Sequence, residues 1–342
     1  MRYFITKRQT SALFTLLSVF LVACSEPVNT VKLQGPTMGT QYNITYLATA
    51  DTPSSEQISA GVSERLEQVN QQMSTYRPDS ELSQFNQSRS LTSFPVSAPV
   101  RTVVKEAIRL NHLTQGALDV TVGPLVNLWG FGPDAQPVTI PTDEQLSALK
   151  ESVGIEWLSV TETGLQKKKP QLYVDLSTIA KGWGVDVLAD YLSEQGIENY
   201  LVEVGGEIRT HGHNAAGQVW RIAIEKPTAE QRVIQTVIQA KDMAMATSGD
   251  YRNYHEVDGV RYSHIIDPAT GKPIHHKVVS VTVLDKSSMT ADGLATGLMV
   301  LGAEKGIDVA EQHQIPVLMI VKTPDGYKEM ASAAFKPYLS QK

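Results

Sequence analysis

The 342-residue chain predicts an α+β fold: a mixed, largely antiparallel sheet flanked by helices, in two lobes with a cleft between them. Three observations lead there. Helical patterns dominate the first half and β-branched or alternating runs the second. The two kinds of run do not alternate in a βαβ rhythm, which argues against a doubly wound sheet. The length exceeds that of a minimal module at ~100–200 residues per domain, so two packed lobes are expected. Hydrophobic residues are 42% and charged residues 19%, an ordinary globular balance that excludes wholesale disorder. A net charge of −6 gives no basic footprint, so nucleic acid is not an expected partner. The single cysteine, Cys24, excludes a disulfide scaffold and a thiolate zinc site.

Residues 1–23 are expected to be a lipoprotein signal peptide. Arg2, Lys7 and Arg8 precede an apolar run from Ala12 to Ala23. That run is too short to span ~30 Å of hydrocarbon but suits a signal h-region. Leu21-Val22-Ala23-Cys24 looks like a bacterial lipoprotein cleavage box, with the Cys24 thiol receiving the lipid. Acyl chains there would hold the protein on the periplasmic face of a bacterial membrane, inner or outer. Residues 24–34 are expected to be a tether and 35–342 the working body.

Along the body, Gln41–Tyr46 alternates like a strand. A helix opens at Ser54 or Ser55 and carries Ile58, Val62, Leu66, Val69 and Met73 on one face. Another starts after Pro99, uses Val100, Val104, Ala107 and Ile108, and stops at Gly116. Thr142 to Gln145 is a capping box, with Leu146, Leu149 and Val153 behind it. The run Lys167–Lys169 suggests a solvated turn. A strand is expected at Gln171–Asp175, leading into a helix from about Ser177 to Gln195. Strands follow at Tyr200–Val204, Val219–Ile224, Val233–Ile238, Val260–Ile266 and Val278–Leu284. Helices over Thr290–Leu301 and Glu304–Gln312 precede a closing hairpin from Pro316–Val321 through Asp325-Gly326.

Several chemistries are excluded by motif. No P-loop exists, and Gly130-Phe131-Gly132 lacks both the third glycine and a following helix. His211, His213, His275 and His276 sit in polar turns without a third zinc ligand, and are read as surface residues. No nucleophile elbow is present. Four polar clusters at element ends remain, where function concentrates. Asp292 and Thr296 share one helix face, offering a carboxylate and a hydroxyl to a hard cation or simply forming a polar surface. Asp175 to Gly182 runs from a strand into a helix start, where Ser177 or Thr178 caps. Ser263 to Gly271 combines His264 with Asp-Pro-x-x-Gly turn chemistry. Ser74 to Leu82 carries Tyr76, suited to core packing or to covering a flat ring.

Taken together and in order, these clusters resemble the FAD:protein FMN transferase (ApbE) family. The matching pieces are Gly35–Thr40, Ser74–Leu82, Gly116–Val126, Leu128–Gly132, Asp175–Gly182, Val202–Gly206, Thr247–Tyr251, Ser263–Gly271 and Ala291–Gly297. The resemblance implies a periplasmic enzyme that moves FMN from FAD to a threonine hydroxyl of an acceptor protein, forming a phosphoester and releasing AMP. The implied acceptors are subunits of Na⁺-translocating NADH:quinone reductase or Rnf-type complexes. By the same analogy Asp292 and Thr296 bind Mg²⁺, with carbonyls of Thr178 and Ala295, in an oxygen set that also admits Ca²⁺. Implied FAD contacts are Met38, Tyr76, Ala117, Leu118, Asp119, Asp175, Lys181 and Ile266, within the cleft. His264 is the candidate base for the acceptor threonine, and Asp292 doubling as base stays open. Some relatives hydrolyse FAD and carry Asn at the tyrosine position, so Tyr76 points to transfer. Mg²⁺-dependent FAD pyrophosphatase and a non-catalytic flavin-binding lipoprotein are the competing readings.

Overall fold

The computed structural model describes residues 29–133, 139–225, 234–250 and 253–339. The expected signal peptide, Cys24, the first tether residues, Val233 and Tyr251 lie outside the described residues. Two hairpin strands open the structure: β1 (Asn29–Thr37) and β2 (Thr40–Ala48), paired along their full length. Residues 29–34 are therefore strand, not tether. Val31 and Leu33 pack against the core while Thr30, Lys32 and Gln34 face solvent, the alternation of a half-buried edge strand. The hairpin reverses through Met38 and Gly39 at φ 49° and 71°, the two-residue turn whose twist matches the strands.

The next elements are α1 (Ser55–Met73), α2 (Glu81–Gln87), β3 (Phe94–Pro95), α3 (Ala98–Leu113), α4 (Gly123–Leu128) and α5 (Asp143–Lys150). Capping boxes at Ser54 and Thr142 start α1 and α5, and α1 buries the five apolar residues its periodicity selects. Then come β4 (Leu158–Val160), β5 (Gly164–Lys167), α6 (Ala180–Glu194), β6 (Tyr200–Val204), β7 (Glu207–His211), β8 (Trp220–Glu225), β9 (Ile234–Ala240) and β10 (Ala244–Gly249). The chain continues through β11 (Tyr254–Val257), β12 (Val260–Ser263), β13 (Ile266–Asp267), β14 (Lys272–Pro273) and β15 (Val278–Asp285). It closes with α7 (Ser288–Leu301), α8 (Ala303–Gln312), β16 (Val317–Thr323) and β17 (Gly326–Ala331).

The class is α+β, as expected. An eight-stranded sheet runs β1-β2-β6-β7-β10-β15-β16-β17, and every described pairing is antiparallel. Period-two alternation sends its side chains into three clusters, one of which is large and packs Tyr42, Ile44, Val202 and Val204 against α1 and α6. Val281, Val283, Val317, Met319 and Ala246 join α3 and α7 in the largest cluster. Leu284, Leu318 and Met245 join the β8–β9 hairpin and Phe335 in another. Both faces of β15 are covered, so it is buried almost throughout, Ser280 and Thr282 included. A smaller body gathers α4, α5 and β13 around Leu125, Trp129, Leu146 and Ile266. Among the described residues no helix is long and apolar enough to cross a membrane.

Four local expectations fail for physical reasons. No strand forms at 171–175. There the Asn86 side chain donates to Val174 O and accepts from Val174 N, both at 2.8 Å, replacing a strand partner with a side-chain amide. Helix α6 starts at Ala180, because Asp175 Oδ1 accepts the Ser177 N–H at 2.9 Å and sets a turn first. Lys167 is not solvated. At 1% exposure it ends β5 and donates to carbonyls of Phe85, Ser88 and Leu172 at 2.9–3.1 Å. His276, also read as surface, is half-buried and donates to Met299 O at 2.7 Å near the end of α7. Asn86→Ala strips both main-chain groups of Val174 and is expected to cost about 2–4 kcal/mol. Urea denaturation checks this.

Candidate active site

Helices α6 and α7 approach closely at Gly182, where a Cβ would lie 2.3 Å from Ser288 O and 2.8 Å from Asp292 Cβ. Only glycine allows that contact. It brings the Gly182 N–H within 2.9 Å of Asp292 Oδ2. Asp292 is 5% exposed, and burial pushes its carboxyl up while Lys181 and this amide pull it down. Lys181 Nζ lies 2.7 Å from Glu207 Oε1 and 3.8 Å from Asp292 Oδ1. The two carboxylates hold the ammonium above its usual range against the cost of burial. Burial pushes the Glu207 carboxyl up, and the Lys181 ammonium pulls it back down.

Asp186, one turn beyond Gly182, orients α7. Its carboxylate accepts from the Ser287 hydroxyl and from Ser288 and Met289 N–H at 2.8–3.0 Å, filling donors that open a helix N-terminus. Arg209 Nη1, on β7, donates to the same carboxylate at 2.9 Å. Glu207 and Asp186 escaped the sequence reading, though each left a signal. The hairpin pairs Glu207 with Val204, a fully buried residue, so the acid shares an inward face. Asp186 shares the buried face of α6 with Gly182 and Ala189, at helical spacing.

The remaining expected residues divide. Thr296 follows Asp292 by one turn and is half-buried. Ala295 is buried, and the Thr178 hydroxyl is buried without a hydrogen-bond partner. Tyr76 is 68% exposed, and its hydroxyl is raised by partial desolvation and by the Asp175 charge. Asp175 donates its N–H to Val120 O at 2.8 Å, which ties the Ala117–Thr121 loop to it. Leu118 and Ala117 are buried, and Leu118 O accepts from Asn111 at 2.8 Å. Asp119 has its carboxylate committed to Thr121 N and Oγ1 at 2.8 and 2.6 Å and to Ile155 N at 3.2 Å, so it shapes the loop. Met38, at the β1–β2 turn, packs with both large cores, and Ile266 sits in the small core. These last residues offer main chain or shape, not charge.

His264 lies outside β12, its Nδ1 2.9 Å from Asn253 O. An Nδ1–H donated to that carbonyl leaves Nε2 with a free lone pair. Burial lowers the imidazole, and Lys181 lowers it further, so His264 lies within the electrostatic reach of the α6–α7 crossing. Phe131 flanks it edge-on at 6.3 Å. The following turn is locked by Asp267, which accepts from Ala269 N and Thr270 Oγ1 at 2.9 and 3.0 Å.

The groups that Asp292 and Thr296 offer one turn apart on α7 are hard oxygens, a carboxylate and a hydroxyl. They fit Mg²⁺ or Ca²⁺ and not a soft metal. Among the described residues no cluster of three His, Cys, Asp or Glu could hold a metal unaided, so a ligand's own oxygens would complete the sphere.

A buried carboxylate and a partly exposed lysine meet at this helix crossing, within electrostatic reach of a histidine whose Nδ1 is held by a main-chain carbonyl. The sequence model of the ApbE family matches residues 38–319, and the chain belongs to that family. A Vibrio cholerae relative named FAD:protein FMN transferase is 64% identical over 96% of this chain and 99% of its own length. A Haemophilus influenzae relative of the same name is 48% identical over 94% of each chain. The solved flavin transferase ApbE from Vibrio cholerae superposes with a TM-score of 0.87, covering 92% of this chain and all of that one. Gly182→Ala is expected to force α6 and α7 apart, lowering stability by about 2 kcal/mol or more. Thermal melting checks the stability loss, and the activity lost should exceed that of Gly184→Ala, whose Cβ meets the Met38 sulfur at 3.3 Å and Leu66 Cδ2 at 4.0 Å.

Proposed function

We propose that the protein transfers FMN from FAD to a threonine hydroxyl of an acceptor protein, joined through a phosphoester. The observation that carries this reading is the end-to-end agreement with relatives named for that reaction. The threonine Oγ attacks the FMN phosphorus, the pyrophosphate P–O bond breaks, and AMP leaves with the bond's electron pair. The threonine proton passes to His264 Nε2, the lone pair left open by the bond to Asn253. Lys181 places a positive charge beside the pyrophosphate, and exposed Tyr76, within reach of the Asp175 charge, covers the flavin ring. Met38, Ala117, Leu118, Asp119 and Ile266 shape the pocket by main chain and packing. Asp292, Thr296 and the Thr178 and Ala295 carbonyls would hold Mg²⁺, which supplies charge neutralisation at the non-bridging oxygens.

The acceptors we propose are subunits of Na⁺-translocating NADH:quinone reductase or Rnf-type complexes. The place of action is the periplasmic face of a bacterial membrane, with a lipid on Cys24. The order of residues before β1 supports this: a basic start, a short apolar run, and the chain's only cysteine.

Incubation of a candidate acceptor domain with the protein, FAD and Mg²⁺, followed by mass spectrometry, tests the reading. One FMN is expected on a threonine, with AMP released. AMP and free FMN with an unmodified acceptor would favour the pyrophosphatase, and no AMP would mean a flavin binder. Asp292→Ala is expected to slow transfer about a thousandfold, and His264→Gln about 10²–10⁴-fold. Because the His264 pKa lies below 6.5, the imidazole stays a competent base down to that value. The acid limb of kcat/KM for FAD should therefore fall below pH 6.5, and His264→Gln should abolish it.

A further inference from the structure

We propose that Glu207 is a positioning residue that holds the Lys181 ammonium off Asp292 and so keeps that carboxylate open to a divalent cation. The inference rests on the cation-dependent reading of the site. Lys181 has two acidic neighbours, and only the contact with Glu207, at 2.7 Å, is a hydrogen bond; Asp292 Oδ1 stands back at 3.8 Å. The other oxygen of Asp292 is fixed by the Gly182 N–H. Oδ1, facing the lysine, is thus the oxygen that a cation and the ammonium would contest.

Glu207 is built to win that contest for the cation. It is the first residue of β7 and 2% exposed, held inward by pairing with Val204. The turn before it makes room for the lysine stem: a Cβ on Gly205, at φ 62°, would meet Lys181 Cδ at 3.2 Å and Thr40 Cγ2 at 2.9 Å. Gly206 N–H is pinned by Glu203 Oε1 at 2.7 Å, fixing the turn. Glu207 Oε2 is buried without a hydrogen-bond partner. A buried carboxylate in a structural role ordinarily satisfies both oxygens. Here one oxygen has no hydrogen-bond partner, and the side-chain partner of the carboxylate is the lysine at the site.

The test is Mg²⁺ titrated into the FAD-saturated full chain without acceptor, read by flavin fluorescence, with melting curves to show folding. Glu207→Gln is expected to weaken Mg²⁺ binding about tenfold, the size of coupling found within one charge network. In a Lys181→Gln background the same change should have little effect, because no ammonium remains to collapse onto Asp292. A direct charge effect of Glu207 on the cation would persist or grow there, and that result overturns the proposal. So does unchanged Mg²⁺ binding in folded Glu207→Gln. Should that variant not fold, Lys181→Gln alone must bind Mg²⁺ more tightly than wild type, and weaker binding overturns the proposal. Wild-type protein that binds no Mg²⁺, or whose binding ignores Asp292→Ala, overturns the cation reading itself and this inference with it.

Discussion

The hydrogen bond from Gly182 N–H to the buried Asp292 carboxylate is the contact on which the rest of the site depends. It requires two helices to touch backbone to side chain, and a glycine at the crossing is the only residue that fits. Helix α6 reaches the crossing from a turn held by Asp175, and that turn is held in its segment by Asn86. Helix α7 is held by Asp186, which fills its N-terminal donors and is itself held by Arg209 from β7. The eight-stranded sheet is the common base, since α6 packs over β6 and β7 and α7 over β10 and β15.

That geometry concentrates charge where solvent is scarce. Burying Asp292 and Glu207 beside a partly exposed Lys181 carries a desolvation cost, and apolar residues would often serve stability as well or better. Perturbed groups gathered in this way are a common feature of functional sites. Two acids share one ammonium, so the cluster suits an added cation. The oxygen-only donors select a hard one. His264 and Tyr76 come from separate loops, so ligand binding itself would bring flavin, pyrophosphate and acceptor hydroxyl into line.

Much of this was readable in the sequence where local rules govern. The apolar spacing of α1 and the capping boxes at Ser54 and Thr142 specify helices without tertiary help. Asp292 and Thr296 were readable as a pair because helical spacing alone puts them on one face. The sequence misled where a distant partner decides. Leu172 and Val174 alternate like a strand, yet the Asn86 amide takes the place of a neighbouring strand. Lys167 sits in a run of three lysines and finds its carbonyls at the end of α2, far along the chain. Strand β10 is made of small residues, Ala244, Ala246 and Gly249 among them, and forms because β7 and β15 flank it. Glu207 and Asp186 look like surface acids until the hairpin register and the helix face are combined.

The central claim is that the α6–α7 crossing is where a divalent cation and the FAD pyrophosphate meet. Anomalous scattering from crystals grown with FAD and Mn²⁺ in place of Mg²⁺ tests it most directly. The account predicts a metal peak in contact with Asp292 and Thr296, with pyrophosphate oxygens on the same ion and Lys181 beside them. A metal bound elsewhere, or FAD seated with its pyrophosphate away from Asp292, would contradict it.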